Sequence, residues 1–258
     1  MSKTRIHFVA PYLCNPVHRI TVTLVGAGGN GSQMISVLAR MDATLRKLGH
    51  KGLHVRLYDP DTVEEPNLGR QLFLESDLGV NKADALITRF NRGFGIDWQS
   101  IPRRIEKNDR LGNIVITCVD NIACRELVSL MLNEAGRRNN PHCPESCTYY
   151  WLDLGNGRST GQAILGSTTI EQPKSRKFSP VDRLPSFCEE FDTPAIDEKD
   201  SGPSCSLAEA LSKQDLFINS SLSQLAGSLL WKLFREPLLQ YRGFYLNLDN
   251  FKTTPIPV

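Results

Sequence analysis

The feature that most constrains this chain is the stretch Ile20 to Ser32, ITVTLVGAGGNGS. Val22 to Val25 form a short apolar run dense in β-branched side chains, and Gly26-Ala27-Gly28-Gly29-Asn30-Gly31 follows without a spacer. Met34, Leu38, Met41, Leu45 and Leu48 then recur at steps of four and three. Such a pattern predicts a buried strand, a glycine turn and an amphipathic helix. Glycines in this turn let the chain reverse tightly and remove β-carbons that would hold a phosphate away from the backbone. The free N–H groups and positive end of the new helix then face an anion, so a nucleotide is expected here.

The next run, Leu53-His54-Val55-Arg56-Leu57-Tyr58, alternates apolar and polar residues and ends at Asp59. It reads as the second strand of a βαβ unit, whose terminal carboxylate would face ribose hydroxyls. A polar, proline-punctuated loop, DPDTVEEPNLGRQ, follows at 59–71, then GVNKAD at 79–84 and a helix carrying Val80, Ala83, Leu86, Ile87 and Phe90. Strands are expected near Trp98 to Ile101 and at Ile114 to Val119, the latter ending at Asp120-Asn121; a helix should run from Ile122 to Arg138. Tyr149 to Leu154 and Thr160 to Leu165 read as two more strands. From Glu171 to Pro203 the apolar period is lost, which predicts a long surface excursion. A helix near Leu216 to Phe234 and an edge strand at Phe244 to Leu248 close the chain. The expected class is α/β, with a Rossmann-like, mostly parallel sheet flanked by helices, an antiparallel strand region and a crossover-type excursion. The expected organisation is an arm at 1–19, a nucleotide-binding core at 20–170, an excursion at 171–206 and a closing helix and strand at 207–258. The arm should pack on the body or on a second subunit, and Arg5 and Arg19 are placed where either could reach a phosphate or simply be solvated.

Thirty basic against 28 acidic residues give a formal charge of +2, too balanced for nucleic acid or an acidic membrane to be the main partner. The first residues lack a signal-peptide core and no run approaches the roughly 18 apolar residues of a membrane span. Seven cysteines without dense spacing predict reduced thiols in a cytoplasm.

GAGGNG at 26–31, YDPDTVEEPNLGRQ at 58–71, GVNKAD at 79–84, CVDN at 118–121 and the GQ strand at 161–162 together resemble the ThiF/MoeB adenylyltransferases and ubiquitin-activating enzymes. Within that superfamily the chain looks most like the ThiF-type protein of PRTRC systems. The resemblance implies an ATP-dependent adenylation of the C-terminal carboxylate of a ubiquitin-like or sulfur-carrier β-grasp protein, performed by a homodimer. It implies that Gly26, Gly28, Gly29 and Gly31 cradle phosphate and that Asp59 takes the ribose. Arg70 and Lys82 would neutralise phosphates, Asn67, Gln71 and Asn121 would position loop and nucleotide, and Asp120 would hold Mg²⁺.

Pro203-Ser204-Cys205-Ser206-Leu207 resembles the stretch around the thioester cysteine of ubiquitin-type enzymes, with Cys188 as second choice; Cys118 and Cys124 read as packing residues. Many bacterial relatives hold a structural zinc on two C-x-x-C pairs. This chain has none, only His142, Cys143, Cys147, Cys188 and Cys205, so zinc is not expected. Two other readings fit the glycine loop: a nicotinamide-dependent oxidoreductase, in which Asp59 would serve equally well, and an inactive binding subunit of a heterodimeric activating enzyme. Against the first stands the set Arg70, Lys82 and Asp120, which suits a triphosphate with magnesium. Against the second stands the presence of the whole set.

Overall fold

In the computed structural model, residues 3–191 and 214–258 are described. The alternating and apolar runs recognised in the sequence become β2 (Ile20–Val25), β3 (Leu53–Tyr58), β4 (Gln99–Ile101) and β5 (Ile114–Thr117). Together with β6 (Tyr150–Asn156) they form the parallel part of an eight-stranded sheet. β7 (Thr160–Ser167), β10 (Tyr241–Asn247) and β11 (Lys252–Pro257) continue it antiparallel, in the order β11-β10-β7-β6-β5-β2-β3-β4. The chain runs outward from β2 through β3 to β4, then returns to place β5 on β2's other side. The order therefore reverses at β2, and ligands of open α/β sheets sit outside the carboxyl ends of the strands at such a point.

Alternation sorts the strand residues onto two packed faces. Val22, Leu24, Val55, Leu57, Ile114, Ile116, Leu152 and Leu154 point one way, toward α2 (Gly29–Lys47) and the C-terminal helix Ile218–Arg235. Val25, Val115 and Trp151 point the other way, toward α4 (Ile122–Arg138), which contributes Val128, Met131 and Leu132. The helix α3 (Lys82–Phe94) packs Leu86 and Ile87 into the first face. Asn81 caps α3, its Oδ1 accepting from the Ala83 and Asp84 amides, and Gly95 ends it in the left-handed conformation.

Several details differ from the sequence reading. Residues 4–8 are a strand, β1 (Thr4–Phe8), followed by a one-turn helix α1 (Pro11–Cys14); this arm pairs within its own chain. Its partners are β8 (Phe178–Pro180) and β9 (Leu238–Leu239). Arg19 stands at the amino end of β2, where it pairs with Asp97. Six strand residues, about 20 Å at roughly 3.3 Å each, separate it from the glycine turn, so it cannot serve a phosphate there. Arg5 is exposed on β1. The excursion from 171 is anchored as far as residue 191. Leu184 and Phe187 are buried, the latter in α5 (Phe187–Glu190), and Ser167 and Leu184 exchange hydrogen bonds. Single buried anchors leave no period to read. The C-terminal helix, α6 (Ile218–Arg235), packs Leu222, Ala226 and Leu230 into the first face. The expected final edge strand is in fact interior, because β11 pairs outside it. Pro255 and Pro257 hid β11 from the sequence reading, yet an edge strand tolerates them.

Two buried polar knots tie these pieces together. His7, fully buried, places Nδ1 2.7 Å from the Val181 carbonyl O and Nε2 2.9 Å from the Tyr150 hydroxyl. The hydroxyl also accepts from the Ala10 amide at 3.1 Å, so β1, β6 and the chain after β8 meet at this ring. On the other face, Arg125 Nε donates to Asp153 Oδ1 at 2.9 Å. The same oxygen accepts from the Thr117 hydroxyl, which in turn accepts from Trp151 Nε1. The Arg125 guanidinium lies 4.8 Å from the centre of the Phe187 ring. Burial pushes the Asp153 carboxyl upward, and Arg125 opposes that push.

Both knots have measurable consequences. Removing one member of a buried pair strands the other charge, so Arg125→Ala should cost about 3–5 kcal/mol in urea denaturation. Arg125→Leu with Asp153→Leu should cost far less than the two single changes summed, as read in a double-mutant cycle. Burial also lowers the His7 imidazole, against smaller opposing effects of the Val181 carbonyl and Asp182. The unfolded chain then takes up a proton near pH 6.5 that the folded chain accepts only at lower pH. Stability through His7 is complete above that value and falls as pH drops below it, by at most about 1.4 kcal/mol per pH unit. His7→Gln should flatten this part of the profile when denaturation midpoints are compared at several pH values; His54, also lowered by burial, remains in both proteins.

Candidate functional site

The register sets the site before any side chain is considered. Val25 stands opposite Tyr58 on one side and Thr117 on the other, so β2, β3 and β5 end level. Gly26, Asp59 and Cys118 are consequently neighbours in space, joined by the Gly26 amide to the Tyr58 carbonyl at 2.9 Å and the Cys118 amide to the Val25 carbonyl at 2.8 Å.

Gly26 has φ +93°, a conformation L side chains rarely adopt, and a β-carbon there would lie 2.8 Å from the Cys118 carbonyl O. A β-carbon at Gly31 would lie 1.8 Å from the Gly26 carbonyl O. The turn is thus folded back on the first turn of α2 as tightly as backbone allows. At Gly28 nothing lies within 4 Å of where a side chain would begin. The loop is closed against the sheet and open on its outer side, as a cradle for a ligand must be.

Asp59 is 5 % exposed and braces that loop. Its Oδ2 accepts from the Ala27 amide at 2.6 Å and its Oδ1 from the Asp61 amide at 2.9 Å. Burial pushes its carboxyl up, while these two amides and Lys82 pull it down. Lys82, the first residue of α3, is 8 % exposed and extends Nζ to within 3.3 Å of Asp61 Oδ2. Asn81 fixes the lysine's position: its Nδ2 donates to the carbonyls of both Asp59 and Asp61 at 3.0 Å.

The loop between Asp61 and Lys82 is closed at its neck by the Thr62–Asn81 bridge and by the Lys82 amide to the Asp61 carbonyl at 2.8 Å. Its far part is fastened to α2, where the Leu72 amide donates to the Ser32 hydroxyl at 3.1 Å. Arg70 and Gln71 immediately precede this fastening. The Arg70 guanidinium donates to Gln214, while its buried Nε has no partner; burial pulls its pKa down. Gln71 is buried with Oε1 unpartnered. Asn67 accepts from the Glu64 amide at 2.9 Å, so its side chain shapes the loop's own turn. Asp120 and Asn121 are exposed beyond β5; Asn121 caps α4, accepting from the Cys124 amide at 2.8 Å.

The structure therefore brings the glycine turn, Asp59 and Lys82 into one cluster and fastens the Arg70 loop to the start of α2. The sequence reading missed Arg125, Asp153, Asn156 and Asn219. An aspartate inside the apolar run Tyr150 to Leu154 was the signal available for the first pair, since such a residue is buried only when partnered.

Cys205 lies outside the described residues. Burial pushes the Cys188 thiol up to about 11 and raises Cys124 as well, which suits packing rather than attack. Among the described residues no group of three or more His, Cys, Asp or Glu side chains could hold a metal, and no helix is long and apolar enough to cross a membrane.

The sequence profile of the ThiF family matches residues 3–255. A rice (Oryza sativa subsp. japonica) protein, ubiquitin-like modifier-activating enzyme 5, is 28 % identical over 136 residues, which is 45 % of this chain and 30 % of that protein. Among solved structures, E. coli MccB superposes with a TM-score of 0.59 at 19 % identity, covering 96 % of this chain and 65 % of MccB. MccB with ATP gives 0.57 at 18 % identity, covering 96 % and 66 %, and PaaA gives 0.56 at 15 %, covering 93 % and 64 %. The chain thus spans less than a third of the rice protein and just under two thirds of these solved chains. These likenesses establish the same α/β architecture, a mostly parallel sheet with an antiparallel flank. With its profile matched across nearly its whole length, the chain belongs to the ThiF family.

Proposed function

We propose that this chain binds ATP at the glycine turn and adenylates the terminal carboxylate of a peptide or small carrier protein. The observation that carries the reading is an open glycine cradle with a buried lysine in the same cluster, at the point where the strand order reverses, and the loop of the half-buried Arg70, its Nε unsatisfied, fastened to the start of α2. ThiF-family membership and the ATP complex of MccB support it.

The residues fit the group. Gly28 leaves room for phosphate, and the amides at the start of α2 face it. Each Asp59 oxygen has spent one lone pair on an amide and retains another for a ribose hydroxyl. Arg70 and Lys82 would neutralise phosphate oxygens, with Gln71 and Asn67 shaping the loop that carries the arginine. Asp120, exposed at the end of β5, is the carboxylate that would hold Mg²⁺, and Asn121 fixes the backbone beside it. A cage of protein ligands is not needed, because Mg²⁺ keeps several waters and takes one or two carboxylates plus substrate phosphates. When bound, it would supply positive charge to offset that of the phosphates.

The reaction needs positioning and charge compensation more than acid or base. A substrate carboxylate oxygen attacks the α-phosphorus, forming an acyl-adenylate as the bond to the bridging oxygen breaks and pyrophosphate leaves. The nucleophile is already deprotonated near neutral pH. Its approach to a triphosphate is unfavourable unless cations are fixed in advance. Beside Arg70, its partner Gln214 lines a polar hollow of about 590 Å³ with Arg158, Ser159, Asp215, Leu216 and Asp249, suited to an extended peptide tail. The adenylated partner in this reading is a ubiquitin-like or sulfur-carrier β-grasp protein, the enzyme is a two-fold homodimer, and the motif set fits the PRTRC subtype. Cys205 is the proposed acceptor of a subsequent thioester.

Pyrophosphate exchange into ATP should require both Mg²⁺ and a cognate carrier or peptide. Lys82→Ala, Arg70→Ala and Asp120→Ala should each lower it by roughly 10²-fold or more, with folding verified by circular dichroism. Normal exchange in all three would end the proposal. Cys205→Ala should leave exchange intact and abolish a reductant-sensitive carrier adduct, followed by intact mass; loss of exchange in that variant would point to a structural role.

A further inference from the structure

Beneath the glycine turn lies a cluster of three side-chain amides that the adenylation chemistry does not use. Asn30 comes from the first turn of α2, Asn156 from the end of β6 and Asn219 from the first turn of α6. Asn30 Nδ2 donates to Asn156 Oδ1 at 2.9 Å. Asn219 Nδ2 donates to Asn30 Oδ1 at 3.0 Å and to Asn156 Oδ1 at 3.1 Å. The next turn of α6 adds the Ser223 hydroxyl, which donates to the Asn30 carbonyl at 3.1 Å. Asn219 is 2 % exposed, and its Oδ1 is buried without a partner.

The amide of Asn219 is also what Gly29 touches. A β-carbon at Gly29 would sit 2.6 to 2.7 Å from the Asn219 amide carbon, oxygen and nitrogen. Gly29 is therefore glycine because another side chain lies flat against its backbone, whereas at Gly28 the same position faces open space. The amide is held from two directions by Asn30 and Asn156, so it cannot swing away without losing both bonds. Burying such a group is unfavourable unless it is bonded, and orienting an amide through two acceptors fixes its plane.

Resting on the ATP-binding reading above, we propose that Asn219 is a positioning residue for the nucleotide. It clamps Gly29 and Asn30, and through them aims the first amides of α2, which would receive the phosphate. It touches no ligand itself. The clamp belongs to the last third of the chain, and Gln214, five residues before it, accepts from Arg70. The start of α6 thus braces the glycine turn, and the segment just before it meets the arginine loop. A site whose anion-binding amides are fixed beforehand loses less freedom on binding, so slackening the clamp should weaken nucleotide affinity.

The test begins with calorimetry of Mg-ATP on the intact wild-type chain. No binding there removes the ATP reading itself, before any variant is made. With wild-type binding in hand, Asn219→Leu, similar in volume but without hydrogen bonds, should raise the Kd for Mg-ATP on the order of tenfold. Amide hydrogen exchange at residues 29–32 of the ligand-free protein should quicken, while exchange in β5 stays unchanged. Gly29→Ala, which collides with Asn219, should weaken ATP by more. Adding Asn219→Ala to Gly29→Ala should recover part of that loss, a reversal of sign that general destabilisation does not produce. An unchanged Kd in Asn219→Leu, or a double variant worse than Gly29→Ala alone, would overturn the proposal.

Discussion

The bond from the Ala27 amide to the buried Asp59 carboxylate is the contact on which the rest of the site depends. It joins the turn after β2 to the turn after β3, two strands whose ends are already level. A hydrogen bond to a charged acceptor contributes on the order of 1.5–3 kcal/mol, enough to choose one conformation for a glycine turn that would otherwise have many. The second Asp59 oxygen accepts from Asp61, and Asn81 bonds the carbonyls of both aspartates. One carboxylate thereby orders the glycine turn, the turn at 59–61 and the start of α3, which carries Lys82. The stretch from Arg70 to Lys82 belongs to a loop pinned at its neck and held by Arg89, which donates to the Leu72 carbonyl and pairs with Asp77. This loop closure sets Lys82 beside Asp61 and the loop of Arg70 against the start of α2, and sequence distance is a poor guide to it.

The parts of the fold legible in the sequence were those where a single element reports on itself. β2, β3, β5, α2 and α4 each have a period or a run set by a face they bury, and their reading needed no knowledge of neighbours. β8, α5 and β11 were hidden because each depends on its partner: a three-residue strand beside β1, one turn of helix anchored by Phe187, and an edge strand with two prolines. The site divides in the same way. The glycines, Asp59 and Lys82 sit at element boundaries, where sequence punctuation is strongest. Asn30, Asn156 and Asn219 come from three distant stretches, and nothing local to any of them announces that they meet.

Arg125 and Asp153 show how the chemistry is kept from the core that supports it. Both lie close to the strand ends that form the site, yet their charges face inward and are spent on each other and on Thr117. Asp120 and Asn121, by contrast, are exposed beyond β5. Asn121 fixes the start of α4, while α4's first turn carries the arginine that locks β6 against β5. One short stretch from Asp120 to Arg125 thus supplies both the residues exposed beyond β5 and the arginine that holds the sheet together.

The charge count within the candidate site bears on what else the proposed reaction would need. The proposed cations are Arg70 and Lys82 and the candidate anions Asp59, Asp61 and Asp120, so this set carries one net negative charge before any ligand arrives. Lys82 is already paired with Asp61, whose side chain is largely exposed and therefore able to yield it. A triphosphate and a substrate carboxylate would add further negative charge in a site where screening is weaker than in water. Lysine and arginine alone do not balance that sum. A divalent cation on Asp120, as proposed, would do so most directly, turning an exposed acidic group with no cation beside it in this set from a repulsive neighbour into a ligand. Under the proposed reaction this set would be half of an electrostatic site, with Asp120 the residue to take up the positive charge it lacks.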